Sequence, residues 1–142
     1  MIGLDTNVLV RYIMQDDAKQ SLKATKLMEA LTVDELGFVS LVAVVELGWV
    51  LSSSYELDRE QVARALDLLL RTKTLVVDRA DEVTKSLRVF KASSADFADC
   101  LIERTAASAG CGRTMTFDVG AAKTSGMTLI QELAAPRVGC AC

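Results

Sequence analysis

Residues 1–10 read MIGLDTNVLV. A short apolar run empties into Asp5, Thr6 and Asn7 follow, and a second apolar run begins at once. The first run fits a buried strand over residues 1–4. The second fits a helix over 6–14, with Thr6 or Asn7 available to cap its first turn.

The same alternation continues along the chain. A second helix is predicted over 16–31, with Leu22, Leu27, Met28 and Leu31 as its apolar stripe. GFVS at 37–40 fits a strand, and the apolar run behind it a buried helix to about residue 53. The clearest amphipathic helix covers 58–71, where Val62, Leu66, Leu69 and Leu70 recur at helical spacing. TLVVD at 74–78 is a strand, followed by a helix carrying Val83, Leu87 and Phe90. Residues 96–109 read as helix, 113–117 as strand, 121–125 as a turn or two of helix and MTLI at 127–130 as a last strand. Connections too long for hairpins, with helices between strands, require a parallel sheet covered on both faces. The expected fold is a three-layer α/β/α sandwich with a central parallel sheet. Residues 1–133 form its single domain and 134–142, from just before Pro136, a flexible tail.

Composition narrows the chemistry. The 142 residues are 51% hydrophobic with little aromatic content, which fits an ordered core of Leu, Val, Ala and Ile. The chain holds no histidine, which excludes Ser-His-Asp and Cys-His nucleophiles and His-containing zinc sites. Cys100, Cys111, Cys140 and Cys142 form no C-x-x-C pair and read as reduced thiols, with a thiolate metal site in the tail as the alternative. The longest apolar stretch is too short to span a bilayer and carries Glu46, and the N-terminus lacks the basic region of a signal peptide, so a cytoplasmic protein without a membrane is expected. The formal charge of −3 does not by itself point to nucleic acid. Setting four acids aside as metal ligands leaves the remainder roughly balanced against the 16 bases.

The acids carry the functional reading. Asp5 ends the first strand and Asp118 ends TMTF in the same way, and ligands of open parallel sheets gather at the carboxyl ends of strands. Each serves equally well as a helix cap. Glu46 interrupts LVAVVELGWVL, and an isolated buried carboxylate costs several kcal/mol. A surface position would need one solvent-facing line through that helix. Asp96 and Asp99 stand three apart at the start of a helix, where Ser94 as cap and the helix dipole offer an ordinary explanation. Gathered in one crevice, Asp5, Glu46, Asp99 and Asp118 would repel one another. Hard divalent cations relieve that repulsion through oxygen ligands alone, and Mg²⁺ or Mn²⁺ suits such a set. Metal-assisted phosphoryl chemistry needs no histidine.

DTNVL, then VEL inside an apolar helix, DFADCLI and TMTFD together resemble the PIN-domain ribonucleases, particularly the VapC-type toxins of bacterial toxin–antitoxin pairs. The likeness runs from Met1 to about Ile130. It implies an Mg²⁺- or Mn²⁺-dependent endoribonuclease, often dimeric, whose metals are held by Asp5, Glu46, Asp99 and Asp118. Asp96 would be an auxiliary acid, and Asn7 and Thr116 would orient carboxylates or water. The resemblance also implies an RNA substrate, a small antitoxin partner and a homodimer. The chain departs from the pattern at Val119-Gly120, where a helical glycine costs about 1 kcal/mol against alanine and predicts a loose turn.

An RNA-processing nuclease that is no toxin, and a catalytically silent PIN-like binding module, remain alternatives. An actin-like ATPase would need a glycine-rich phosphate hairpin after Asp5, and no P-loop motif occurs. Arg11, Lys19, Lys23, Arg113 and Lys123 are candidates for a phosphate track, or simply solvated charges. Trp49 reads as core packing or as part of a partner surface.

Overall fold

The computed structural model describes residues 1–130. The expected tail, with Pro136, Cys140 and Cys142, lies outside them. In chain order the elements are β1 (Ile2–Gly3), α1 (Thr6–Met14), α2 (Ala18–Ala30), β2 (Gly37–Val39), α3 (Leu41–Ser53), α4 (Arg59–Arg71) and β3 (Leu75–Val77). Then come α5 (Ala80–Ala92), α6 (Phe97–Ser108), β4 (Met115–Thr116), α7 (Val119–Thr124) and β5 (Thr128–Leu129).

The alternation produces parallel pairing throughout. β2 stands between β1 and β3, with Ile2 opposite Gly37 and Phe38 opposite Val76. β4 and β5 form a separate parallel pair, Met115 opposite Thr128. The expected α/β sandwich is present, but its described strands fall into two hydrogen-bonded groups instead of one continuous sheet. At Gly37 the packing leaves no room for a side chain: a Cβ would stand 2.8 to 2.9 Å from the methyl ends of Leu75, Leu31 and Leu4.

One apolar cluster holds β1 to β3 and α1 to α6 together, from Leu4 through Leu9, Val39, Leu47, Leu66, Val77 and Phe90 to Leu101. The α4 and α5 stripes lie where the periodicity puts them: Val62, Leu66, Leu69, Val83, Leu87 and Phe90 are buried, and Leu70 is half-buried. The α2 stripe differs. Ser21, Ala24 and Met28 face inward, while Leu22 is 56% exposed. Helices α1 and α2 pack closely, and small residues permit that approach. Among the described residues no helix is long and apolar enough to cross a membrane.

Three strand-to-helix junctions set up the functional edge. Each of β1, β2 and β4 passes into a helix within one or two residues, through Asp5, Ser40 and Asp118. Carboxylates at such junctions stand at the carboxyl ends of strands and beside helix N-termini, where negative charge is favoured.

Candidate active site

Asp118 caps α7: its Oδ1 accepts from the Ala121 N–H at 3.0 Å. The Thr116 Oγ1 accepts from the Asp118 N–H at 3.0 Å and so sets the turn that presents the carboxylate. Gly120 follows from the same crowding, because a Cβ there would lie 3.1 Å from the Asp118 Oδ1. The expected loose turn is an ordered helix that begins at Val119. Asp5 is engaged locally as well, its Oδ1 accepting from the Thr6 N–H at 2.9 Å.

Helix α6 begins at Phe97, so Asp96 is its N-cap residue and Asp99 lies within its first turn. The Asp96 side chain closes no capping hydrogen bond. Ser94, the expected cap, is exposed, and the Ser93 Oγ instead accepts from the Ala95 N–H at 3.2 Å. The Asp99 carboxyl is pushed above its ordinary range by burial first, then by the Asp96 and Asp118 carboxylates. Three acids from two distant parts of the sequence thus share one electrostatic environment.

Glu46 is not a buried charge. It is exposed on α3, in line with exposed Val42 and Trp49, so the solvent-facing line exists and consists mostly of apolar residues. Its neighbourhood includes Leu41, Val45 and, from α6, Ala98, which lies between Asp96 and Asp99 in sequence. Asp5 is the N-cap of α1, which packs on α3, and it is not among the carboxylates that raise Asp99. Asn7, two residues after Asp5 in the first turn of α1, lines a groove between α1 and α2 with Arg11, Gln20 and Lys23.

The donor chemistry fits a hard divalent cation: oxygen ligands only, with one carboxylate desolvated and repelled by two others. Among the described residues no three acidic or thiol side chains are grouped tightly enough to hold an ion as they stand. Coulomb forces reach farther than metal–oxygen bonds of about 2.0–2.6 Å, so the two observations agree. Mg²⁺ commonly uses one or two carboxylates, several waters and the substrate's phosphate, and does not require a closed protein cage.

Two cations change the picture drawn from the sequence. Arg11 is occupied. Its Nη1 donates to the Asp16 carboxylate at 3.1 Å and to the Tyr55 hydroxyl at 2.9 Å, and the Tyr55 hydroxyl donates to Asp16 at 2.6 Å. That network ties the α1–α2 turn to the segment between α3 and α4, and spends charge that a phosphate would need. Arg59 is the second. Its guanidinium carbon lies 3.9 Å from the Phe90 ring centre, and its Nη2 donates to the carbonyls of Phe90 and Ser93 at 2.7 and 2.9 Å. An arginine at the first position of an amphipathic helix gives no local sign that it will reach the loop leading into Asp96.

Cys100, beside Asp99 in the chain, is buried and its thiol is pushed up to about 11, chiefly by burial. Cys111 is exposed. Because the thiolate is the reactive form, an alkylating reagent at pH 8 should modify Cys111 and leave Cys100 intact until the chain unfolds. Peptide mass mapping over time reads this directly. Equal rates at both would mean that α6 opens readily.

A family model described as PIN domain matches residues 2–127. No curated protein matches the chain.

Proposed function

Since the chain belongs to the PIN-domain family, a nuclease fold matched over residues 2–127, we propose that it is a metal-dependent endoribonuclease that hydrolyses RNA phosphodiester bonds. The observation that carries this reading is the Asp99 carboxyl, half-buried and repelled by Asp96 and Asp118. Such a group is costly unless a cation answers it. Asp5, Glu46, Asp99 and Asp118 are the proposed metal-holding residues, and Asp96 is auxiliary. Held there, Mg²⁺ or Mn²⁺ supplies charge neutralisation and activates water for attack on phosphorus.

The chain's own groups do the positioning. The Thr116 hydroxyl fixes the turn that offers Asp118, and the caps at Asp5 and Asp118 leave each carboxylate one oxygen for other work. Asp96, with no capping bond, is available to accept a hydrogen bond from water or a ribose hydroxyl.

We further infer that residues 1–133 act as one domain in the cytoplasm, as the toxin of a VapBC-type toxin–antitoxin pair. Exposed apolar side chains on α3 and α6, Val42 and Ile102, support an association surface for an antitoxin or a second copy.

The test is incubation of purified protein with RNA in EDTA, in Mg²⁺ and in Mn²⁺, with an Asp5→Asn variant in parallel. Cleavage should require the cation and fall by roughly 100-fold or more in the variant. Metal-independent cleavage, or cleavage unchanged by the substitution, refutes the proposal. No cleavage, together with no metal-dependent thermal shift, favours a binding module.

A further inference from the structure

Between α3, α4 and α6 lies a cavity of about 120 Å³ whose wall includes Val45, Trp49, Ser52, Arg59, Asp96 and Phe97. Whole small-molecule sites run to about 300–1,000 Å³. A cavity this small suits one planar fragment of a larger ligand that is anchored elsewhere. Its composition is mixed in a specific way: apolar and aromatic walls, one carboxylate, one guanidinium and a hydroxyl. The carboxylate is Asp96, and Asp96, Phe97 and Ala98 of the wall lead directly into Asp99 in the first turn of α6, so the cavity opens beside that turn.

We propose that this cavity receives an unpaired nucleobase of single-stranded RNA, stacked on Trp49, from a nucleotide adjacent to the phosphodiester at the acids. The inference rests on the nuclease reading above. Trp49 is 65% exposed, which is costly for an indole with nothing on its face, and unstacked bases of single strands are what exposed aromatic side chains hold. Asp96 accepts from an exocyclic amino or ring N–H group. Arg59 uses Nη2 on the Phe90 and Ser93 carbonyls, and its other N–H groups remain as donors to a base carbonyl. A purely apolar side chain from a protein partner would match neither the Asp96 carboxylate nor the remaining Arg59 N–H groups.

Trp49 is the sole tryptophan, so its fluorescence reports occupancy without catalysis. With EDTA present, and again with Ca²⁺ replacing Mg²⁺, single-stranded oligoribonucleotides should quench its emission and duplex RNA of the same length should not. Anisotropy of labelled RNA should show Trp49→Ala binding about tenfold or more weakly, with Trp49→Phe recovering most of the affinity. The salt dependence of log K should be unchanged in both, because no phosphate contact is removed. In Mg²⁺, KM should rise in Trp49→Ala while kcat stays near the original value.

Metal-dependent cleavage with no change in emission, and wild-type affinity in Trp49→Ala, would overturn the base pocket and leave the nuclease reading standing. The same holds if Trp49→Ala alters only the oligomeric state or protein-partner binding, which would make this face a protein interface. RNA neither bound nor cleaved would remove both readings.

Discussion

At neutral pH, Asp99→Asn should raise the melting temperature of the metal-free protein and, at the same time, sharply reduce cation-dependent RNA cleavage. The sign follows from the direction of the Asp99 shift. Burial and the carboxylates of Asp96 and Asp118 raise its pKa in the folded chain, so the native state holds that proton more tightly than the unfolded state. The stabilising contribution is present below the unfolded value and is lost as pH rises through the folded one. Near pH 7 the ionised group is a net cost. The N-terminus of α6 works the other way, since an acid in the first turn gains about 0.3–1 kcal/mol from the dipole. The upward direction says that desolvation and like charge win.

An amide of nearly the same shape removes the cost, so the gain should appear at pH 7 and vanish near pH 3. Added Mg²⁺ or Mn²⁺ should raise the melting temperature of the natural chain through linkage and leave the variant unmoved. Activity should drop by roughly 100-fold or more, beyond the 10–100-fold typical of groups that merely support a metal ligand. Thermal scans at both pH values and a cleavage assay read all of this. A lower melting temperature in Asp99→Asn at pH 7 would mean that the helix end, not a cation, is what the carboxylate serves.

The second large effect contrasts two neighbours on α3. Leu47 is 0% exposed in the central cluster, and Leu47→Ala should cost about 2–5 kcal/mol. Against a total of roughly 5–15 kcal/mol for a protein of this kind, that is a large share of its stability. The denaturant midpoint should move well down without a comparable change in slope. Glu46→Gln, one residue away and exposed, should change stability by no more than about 0.5 kcal/mol. It should lower cation-dependent cleavage all the same. A large stability change at Glu46 would contradict its exposed position and revive a buried charge.

Much of this was legible along the chain, because strand and helix periodicities are short-range properties. Val62, Leu66 and Leu69 mark one face of α4 whatever packs against it, and Asp5 and Asp118 close their strands by local geometry alone. The order of β1, α1, β2, α3 and the rest follows from these patterns, as does the parallel pairing, since helices intervene between strands. The absence of histidine likewise removes imidazole chemistry and leaves carboxylates, hydroxyls, amines and thiols, whatever the fold.

Other features depend on which neighbour arrives from elsewhere in the chain. In α3 nearly every position is apolar, so periodicity cannot say which line faces water, and the line through Val42, Glu46 and Trp49 is set by where α1, α4 and α6 pack. Leu22 stays outside and Ser21 inside because α2 approaches α1 on its small residues. The reach of Arg59 to Phe90 and Ser93, the tying of Arg11 to Tyr55, and the repulsion between Asp99 and Asp118 couple groups distant in sequence. Local pattern determines what each segment becomes. Burial and charge coupling depend on distances between segments, and only the folded chain defines those distances.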